Sequence, residues 1–293
     1  MGKKYLFFLY HKKKTSIFTN YFKVIIVMPK KIKSEGKCFY CGKSFAKAGT
    51  NRHLAAHLNE KIVKGKQGKS FLIKLDADKR MGETPYFLNI WIDSEATLKT
   101  IDLFLRDIWL DCCEHQSAFR NPKAALRGGS MLGTIDVNDE QEKDFAKYGK
   151  IMGDVGGVIP MNRKLKDLFY KGLVLEYEYD FGNSTFLILS VMEEYQMKSD
   201  KEIMLLSRNE PEILMCTECK KVPATQICTS CMIIEDTFLC DKCAKKHSET
   251  CEDFAKNPSL PIVNSPRMGV CKYKGGKIDK ERDRVSFLYL IKK

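Results

Sequence analysis

Between residues 68 and 205 the chain alternates apolar and polar side chains in four stretches. SFLIKLDA (70–77) and PYFLNIWIDS (85–94) read as half-buried strands, because successive side chains of a strand face opposite ways. LVLEYEYD (173–180) and STFLILSVME (184–193) read alike, and Phe181-Gly182-Asn183 between them has hairpin-turn chemistry. In SEATLKTIDLFLRDIWL (94–110) the period lengthens to that of a helix. Ser94 is placed to cap it, and Leu98, Ile101, Leu105, Ile108 and Trp109 share one face. NRKLKDLFY (162–170) predicts a second helix that stops at Lys171-Gly172. Strands with interposed helices, but no regular strand–helix–strand alternation, predict an α+β class with a central mixed α+β domain.

Outside this body the pattern weakens, and cysteines become the informative residues. CTECKKVPATQICTSCMIIEDTFLCDKCAKKHSETC, within a predicted module at 216–252, has ligand spacing C-x2-C-x8-C-x2-C-x8-C-x2-C-x3-H-x3-C. A Cys-x2-Cys knuckle turns two sulfurs to one point, and Zn²⁺ takes four ligands tetrahedrally, so eight ligands imply two closed sites. Alternate pairing places Cys216, Cys219, Cys240 and Cys243 on one ion and Cys228, Cys231, His247 and Cys251 on the other. Tandem pairing of the first four and last four fits the same spacing. The larger apolar residues are only Val222, Ile227, Met232, Ile233, Ile234, Phe238 and Leu239. That is too small a core to order 36 residues, whereas a structural zinc contributes roughly 10–16 kcal/mol. All eight ligands are used, so no position is left for water or substrate, and the metal is read as structural. The stretch resembles a B-box or RING-like cross-brace, which implies a surface for a protein partner.

A second constellation lies at 34–62: Cys38-x2-Cys41-x11-His53-x3-His57, with Phe45 where a small core needs an aromatic. It resembles a ββα zinc finger and brings the expected zinc count to three. Counted back from His53, Arg52 takes a base-reading position, but Ala48 and Gly49 fall where longer side chains reach base edges. Lys43, Lys47 and Arg52 are the candidate nucleic-acid contacts, directed at phosphate, so weakly specific binding is expected.

Charge sharpens this. The net charge is +13, with +16 in residues 1–75, −8 in 76–250 and +5 in 251–293. A basic first quarter on a mildly acidic body reads as an arm that meets phosphate. Met28 opens MPKKIKSEGKCFYC, a natural-looking start, so the alternative to a native basic segment 1–33 is that residues 1–27 are not native. Starting there would leave +7. No secretory signal pattern is recognisable, and the longest uncharged apolar run, VIIVMP, is far short of the roughly 20 residues that span a bilayer. Thiolate metal sites then predict a reducing cytoplasm and no membrane partner.

ATLKTIDLFLRDIWLDCCEHQSAF and LEYEYDFGNSTFLILSV, within 68–205, resemble the Ri-plasmid open-reading-frame-3-like family of plasmid and transposon passenger proteins. The IMLLSRN segment at 203–209, between a finger and a Cys-rich module, fits one subgroup. The resemblance implies an α+β fold and a mobile-element context, and it implies no reaction. Asn183-Ser184-Thr185-Phe186 stands where the family usually has Asp-x-Trp-x-His, so no role of that Trp or His transfers.

Glu176, Glu178 and Asp180 alternate along one strand. They are read as a solvated outer face, with Mg²⁺-dependent phosphodiester chemistry as the alternative. Cys112, Cys113 and His115 are read as core and helix-end residues; the alternative gives Cys112 and His115 a shared metal with Cys271. The chain thus reads as a zinc-binding protein and not an enzyme: finger and arm on nucleic acid, central domain as scaffold, two-zinc module on a protein, residues 253–293 a tail. A nuclease or recombinase accessory using Glu176, Glu178 or Asp180, and a pure protein adaptor, are the competing readings.

Overall fold

A computed structural model describes residues 34–62, 65–122, 157–257 and 259–283. The basic segment 1–33, with the question of Met28, lies outside the described residues. Alternation did place the central strands. β3 (Ser70–Ala77) and β4 (Phe87–Asp93) pair antiparallel from Ser70 opposite Asp93 to Asp76 opposite Phe87, counting as β1 and β2 two finger strands, Glu35–Cys38 and Ser44–Ala46. β5 (Ser117–Arg120), β6 (Val158–Ile159), β7 (Val174–Tyr179), β8 (Thr185–Tyr195) and β9 (Ile203–Asn209) complete a nine-stranded sheet. Its order is β2-β1-β9-β4-β3-β8-β7-β5-β6, and every pairing is antiparallel. The chain therefore has both helices and strands and is dominated by this sheet.

The middle strands are buried on both faces, not half-buried. Phe71, Ile73 and Leu75 meet Ile101, Leu105 and Trp109 of the helical segment that begins with α2 (Leu98–Leu105). On the opposite face Leu72 and Trp91 pack with Leu54 and Leu58 of α1 (Lys47–Ile62). Two helices cover the two faces, so a strand buried twice shows a near-continuous apolar run.

All five apolar positions read along the 94–110 helix are fully buried. Its cap is Thr97 and not Ser94: the Thr97 hydroxyl accepts from the Thr100 amide in a capping box. The last turns, Arg106–Leu110, widen into a π-helix. The predicted helix at 162–170 is a single 3-10 turn, Leu165–Asp167. There the amides of Leu165 and Lys166 donate to the carbonyls of Ala96 and Ser94, so a neighbouring loop takes the donors a helix would use internally.

The finger is not a separate bead. β1 pairs with β9 (Gly36 opposite Asn209, Cys38 opposite Ser207), which extends the central sheet through the finger hairpin. A Cβ on Gly36 would stand 2.6 Å from Phe87 Cζ and 3.1 Å from the Arg208 carbonyl oxygen, so only glycine permits this approach.

Within the predicted tail 253–293, the described residues up to 283 are likewise more than a tail. β12 (Leu260–Pro261) pairs with β10 (Gln226–Ile227), itself paired with β11 (Phe238–Leu239), in a small second sheet. Beyond it two buried arginines fasten the segment to the main sheet. Arg208 of β9 pairs with Asp283 (2.8 Å) and Asp279 (3.3 Å), and Arg267 pairs with Asp180 while donating to the Asn183 carbonyl at 2.8 Å. Ser265 Oγ also donates to the Trp109 carbonyl at 2.6 Å. Among the described residues, no helix is long and apolar enough to cross a membrane.

Candidate metal centres

The finger knuckle closes through backbone bonds: the Gly42 amide donates to the Cys38 carbonyl (2.8 Å) and the Cys38 amide to the Lys43 carbonyl (2.9 Å). Gly42 takes φ +71° to make the turn. Across from it, His53 and His57 stand one turn apart on α1, on the same side of the helix. Cys41 Sγ lies 3.2 Å from His53 Nε2, and the two imidazole Nε2 atoms lie 3.1 Å apart. Phe45 stacks on His53 with ring centroids 3.8 Å apart. Burial, with His57 and Lys43 beside it, holds His53 below its ordinary value of 6.5 and so favours the neutral ring a metal binds.

In the module the structure selects alternate pairing. The ligand atoms of Cys216, Cys219, Cys240 and Cys243 lie within 4.8 Å of one another, and so do those of Cys228, Cys231, His247 and Cys251. Helix α3 (Asp241–His247) supplies Cys243 to the first group and His247 to the second, which interlocks them. Cys231 Sγ is 3.8 Å from Cys251 Sγ and 3.5 Å from His247 Nε2. A short helix α4 (Glu252–Lys256) follows, and its Phe254 meets the His247 ring edge-on at 5.1 Å. The surrounding apolar clusters are small: Ala224, Ile227 and Ile262 in one, Cys228, Leu239 and Ala244 in the other.

A fourth group also converges: Cys112, Cys113, His115 and Cys271, with all four ligand atoms within 4.8 Å. The reading of Cys112, Cys113 and His115 as core residues is corrected, since none is buried, and the alternative that brings Cys112 and His115 to Cys271 matches the arrangement seen. The helical segment stops at Leu110, and these side chains sit on the loop beyond it, Cys113 and Cys271 exposed. Sequence signalled this only faintly, as three cysteines left over once the finger and module ligands are assigned.

No family model matches the chain, and no curated protein does. Among solved structures, a protein of unknown function from Methanosarcina mazei Go1 is similar at 18% identity, over 48% of this chain and 68% of that one, with a TM-score of 0.31.

Among the described residues, Glu176, Glu178 and Asp180 belong to no converging group of metal-ligand atoms. Glu176 and Glu178 point out from β7 while Leu175, Tyr177 and Tyr179 are buried, as the alternation predicts. Glu176 pairs with Arg80 at 3.3 Å, Glu178 with Arg120 and with the Ser184 hydroxyl at 2.5 Å. Asp180 has left the strand: it sits at φ +64°, mostly buried and bound to Arg267. Every one of the three carboxylates therefore has an arginine partner. The three expected phosphate contacts also divide. Lys43 and Arg52 are exposed, whereas Lys47 turns to the sheet, pairs with Asp76 at 2.8 Å and lies over Phe87.

Proposed function

We propose that this chain is a non-enzymatic, zinc-held binding protein of the mobile-element type. Its finger meets nucleic-acid backbone and its two-zinc module meets a protein. The observation that carries the reading is that each of the finger and module clusters offers a full set of four Cys or His ligands. A zinc so enclosed holds shape, since a catalytic zinc keeps a position open for water or substrate. The arginine-paired carboxylates of β7 support the same choice over a magnesium-dependent nuclease.

Two surfaces support the binding roles. In the module, Ile233 and Ile234 follow Cys231 on a short 3-10 turn and are 86% and 92% exposed, which suits an apolar anchor for a protein partner. On the finger, Lys37, Lys43 and Arg52 are exposed cations without a neighbouring base-reading side chain, since Ala48 and Gly49 carry no group for base edges. Contact with about three phosphates makes binding fall about 40-fold between 50 and 200 mM salt. Fluorescence anisotropy with short DNA and RNA duplexes and single strands measures this. Lys43→Glu with Arg52→Glu removes most of the signal. Undetectable binding by the wild type at 50 mM salt contradicts the nucleic-acid role.

A further inference from the structure

We infer that Cys112, Cys113, His115 and Cys271 form a fourth zinc site, of Cys3His type, that staples the C-terminal segment to the loop after α2. A tetrahedral zinc with Zn–S near 2.3 Å and Zn–N near 2.0–2.1 Å sets ligand-atom separations of about 3.8 Å between sulfurs and about 3.5 Å between sulfur and nitrogen. Cys113 Sγ and Cys271 Sγ are 3.7 Å apart, and Cys271 Sγ is 3.5 Å from His115 Nε2. These match the module's Cys231, Cys251 and His247 to within 0.1 Å or less (3.8 and 3.5 Å there). A disulfide would instead require about 2.05 Å between sulfurs.

The backbone is bent to make this convergence. Glu114 has φ +58°, and this kink turns Cys112, Cys113 and His115 to one point although they are nearly consecutive. The finger knuckle and the first module knuckle use the same device, with a positive φ at the residue after the second cysteine: Gly42 (+71°) after Cys41 and Lys220 (+55°) after Cys219. Cys271 itself sits at φ +54°. An unusual backbone held at both halves of one cluster indicates a shared constraint.

The surroundings suit a thiolate-rich ion. Arg267 Nη2 points at Cys112 Sγ from 3.8 Å and is itself held by Asp180, the Asn183 carbonyl and Thr185 Oγ1. Three thiolates around Zn²⁺ carry a net negative charge, and a buried guanidinium beside them offsets it. The ligands are 156 to 159 residues apart in sequence between the loop and Cys271, so the ion closes a long loop. It also fixes the C-terminal return of the chain segment that carries the two-zinc module. Unlike the other three clusters, it contains no buried cysteine, so a chelator reaches it first.

The test counts zinc on the full chain by mass spectrometry of the metal, comparing wild type with Cys271→Ser and Cys113→Ser. Four ions on the wild type and one fewer on each variant are expected. Equal counts on wild type and variants overturn the inference, and a count of three on all of them does so while leaving the finger and module assignments intact. A loss of one ion from a wild type that holds fewer than four supports this site and refutes part of those assignments. Should the variants fail to fold, alkylation of the native wild type decides. Peptides bearing Cys112, Cys113 and Cys271 resist N-ethylmaleimide until chelator is added. Equal labelling with and without zinc, or a Cys113–Cys271 disulfide in the non-reduced peptide map, overturns the inference.

Discussion

Asp102, on α2, has no exposed side-chain surface, yet its partners favour the carboxylate form. Burial alone would raise its carboxyl. The Ser117 and Tyr177 hydroxyls, which donate at 2.6 and 2.7 Å, and then Arg106 hold it below the ordinary value of 3.8. A carboxylate depressed in the folded state contributes stability that is present above 3.8 and lost as pH falls through the lower folded value. Asp102→Asn leaves Arg106 half-buried without its charge partner, which costs about 3–5 kcal/mol at neutral pH. Denaturant unfolding across a pH series checks this: the gap between wild type and variant narrows below pH 3.8. A gap independent of pH contradicts the ionised assignment. Nothing in the sequence marked Asp102, because an acid on a helix reads as solvated until its partners from β5 and β7 are known.

The elements were legible where a local pattern forms them. The stripe Leu98, Ile101, Leu105, Ile108 and Trp109 is fully buried in the structure, and the ligand spacings of the finger and module match groups of converging side chains. The helix expected at 162–170 was lost to a bond pattern that the sequence does not display, since its amides serve the Ser94–Ala96 loop. The finger's attachment was hidden for a similar reason: β1 joins β9 through backbone groups, which carry no side-chain signature. The attachment has a measurable consequence. Leu58 is fully buried among Trp91, Tyr195 and Met197. Leu58→Ala therefore lowers the melting temperature of the main sheet, at a cost of roughly 2–5 kcal/mol. A finger that folded alone would leave that transition where it is and lose only its own metal. Calorimetry of the full chain separates the two results.

For the whole molecule, long-range polar contacts decide how the pieces sit, and these were the least legible. Arg208 and Arg267 look like surface cations in the sequence, but both are buried against acids far along the chain. Cys112 to His115 and Cys271 have no knuckle spacing to join them. What results is a large sheet that carries the finger at one edge and holds the cysteine-rich module by both ends. Two kinds of stability follow. The sheet rests on an extensive apolar core, whereas the module has only a few buried apolar side chains and, on the function proposed above, depends on metal at its two ligand groups. Hydrogen exchange on the full chain before and after removal of metal by a chelator tests this most directly. The amides of 216–251 lose their protection on chelation while those of β3, β4 and β8 keep theirs; unchanged protection of 216–251 in the metal-free chain would contradict the claim that metal holds the module in shape.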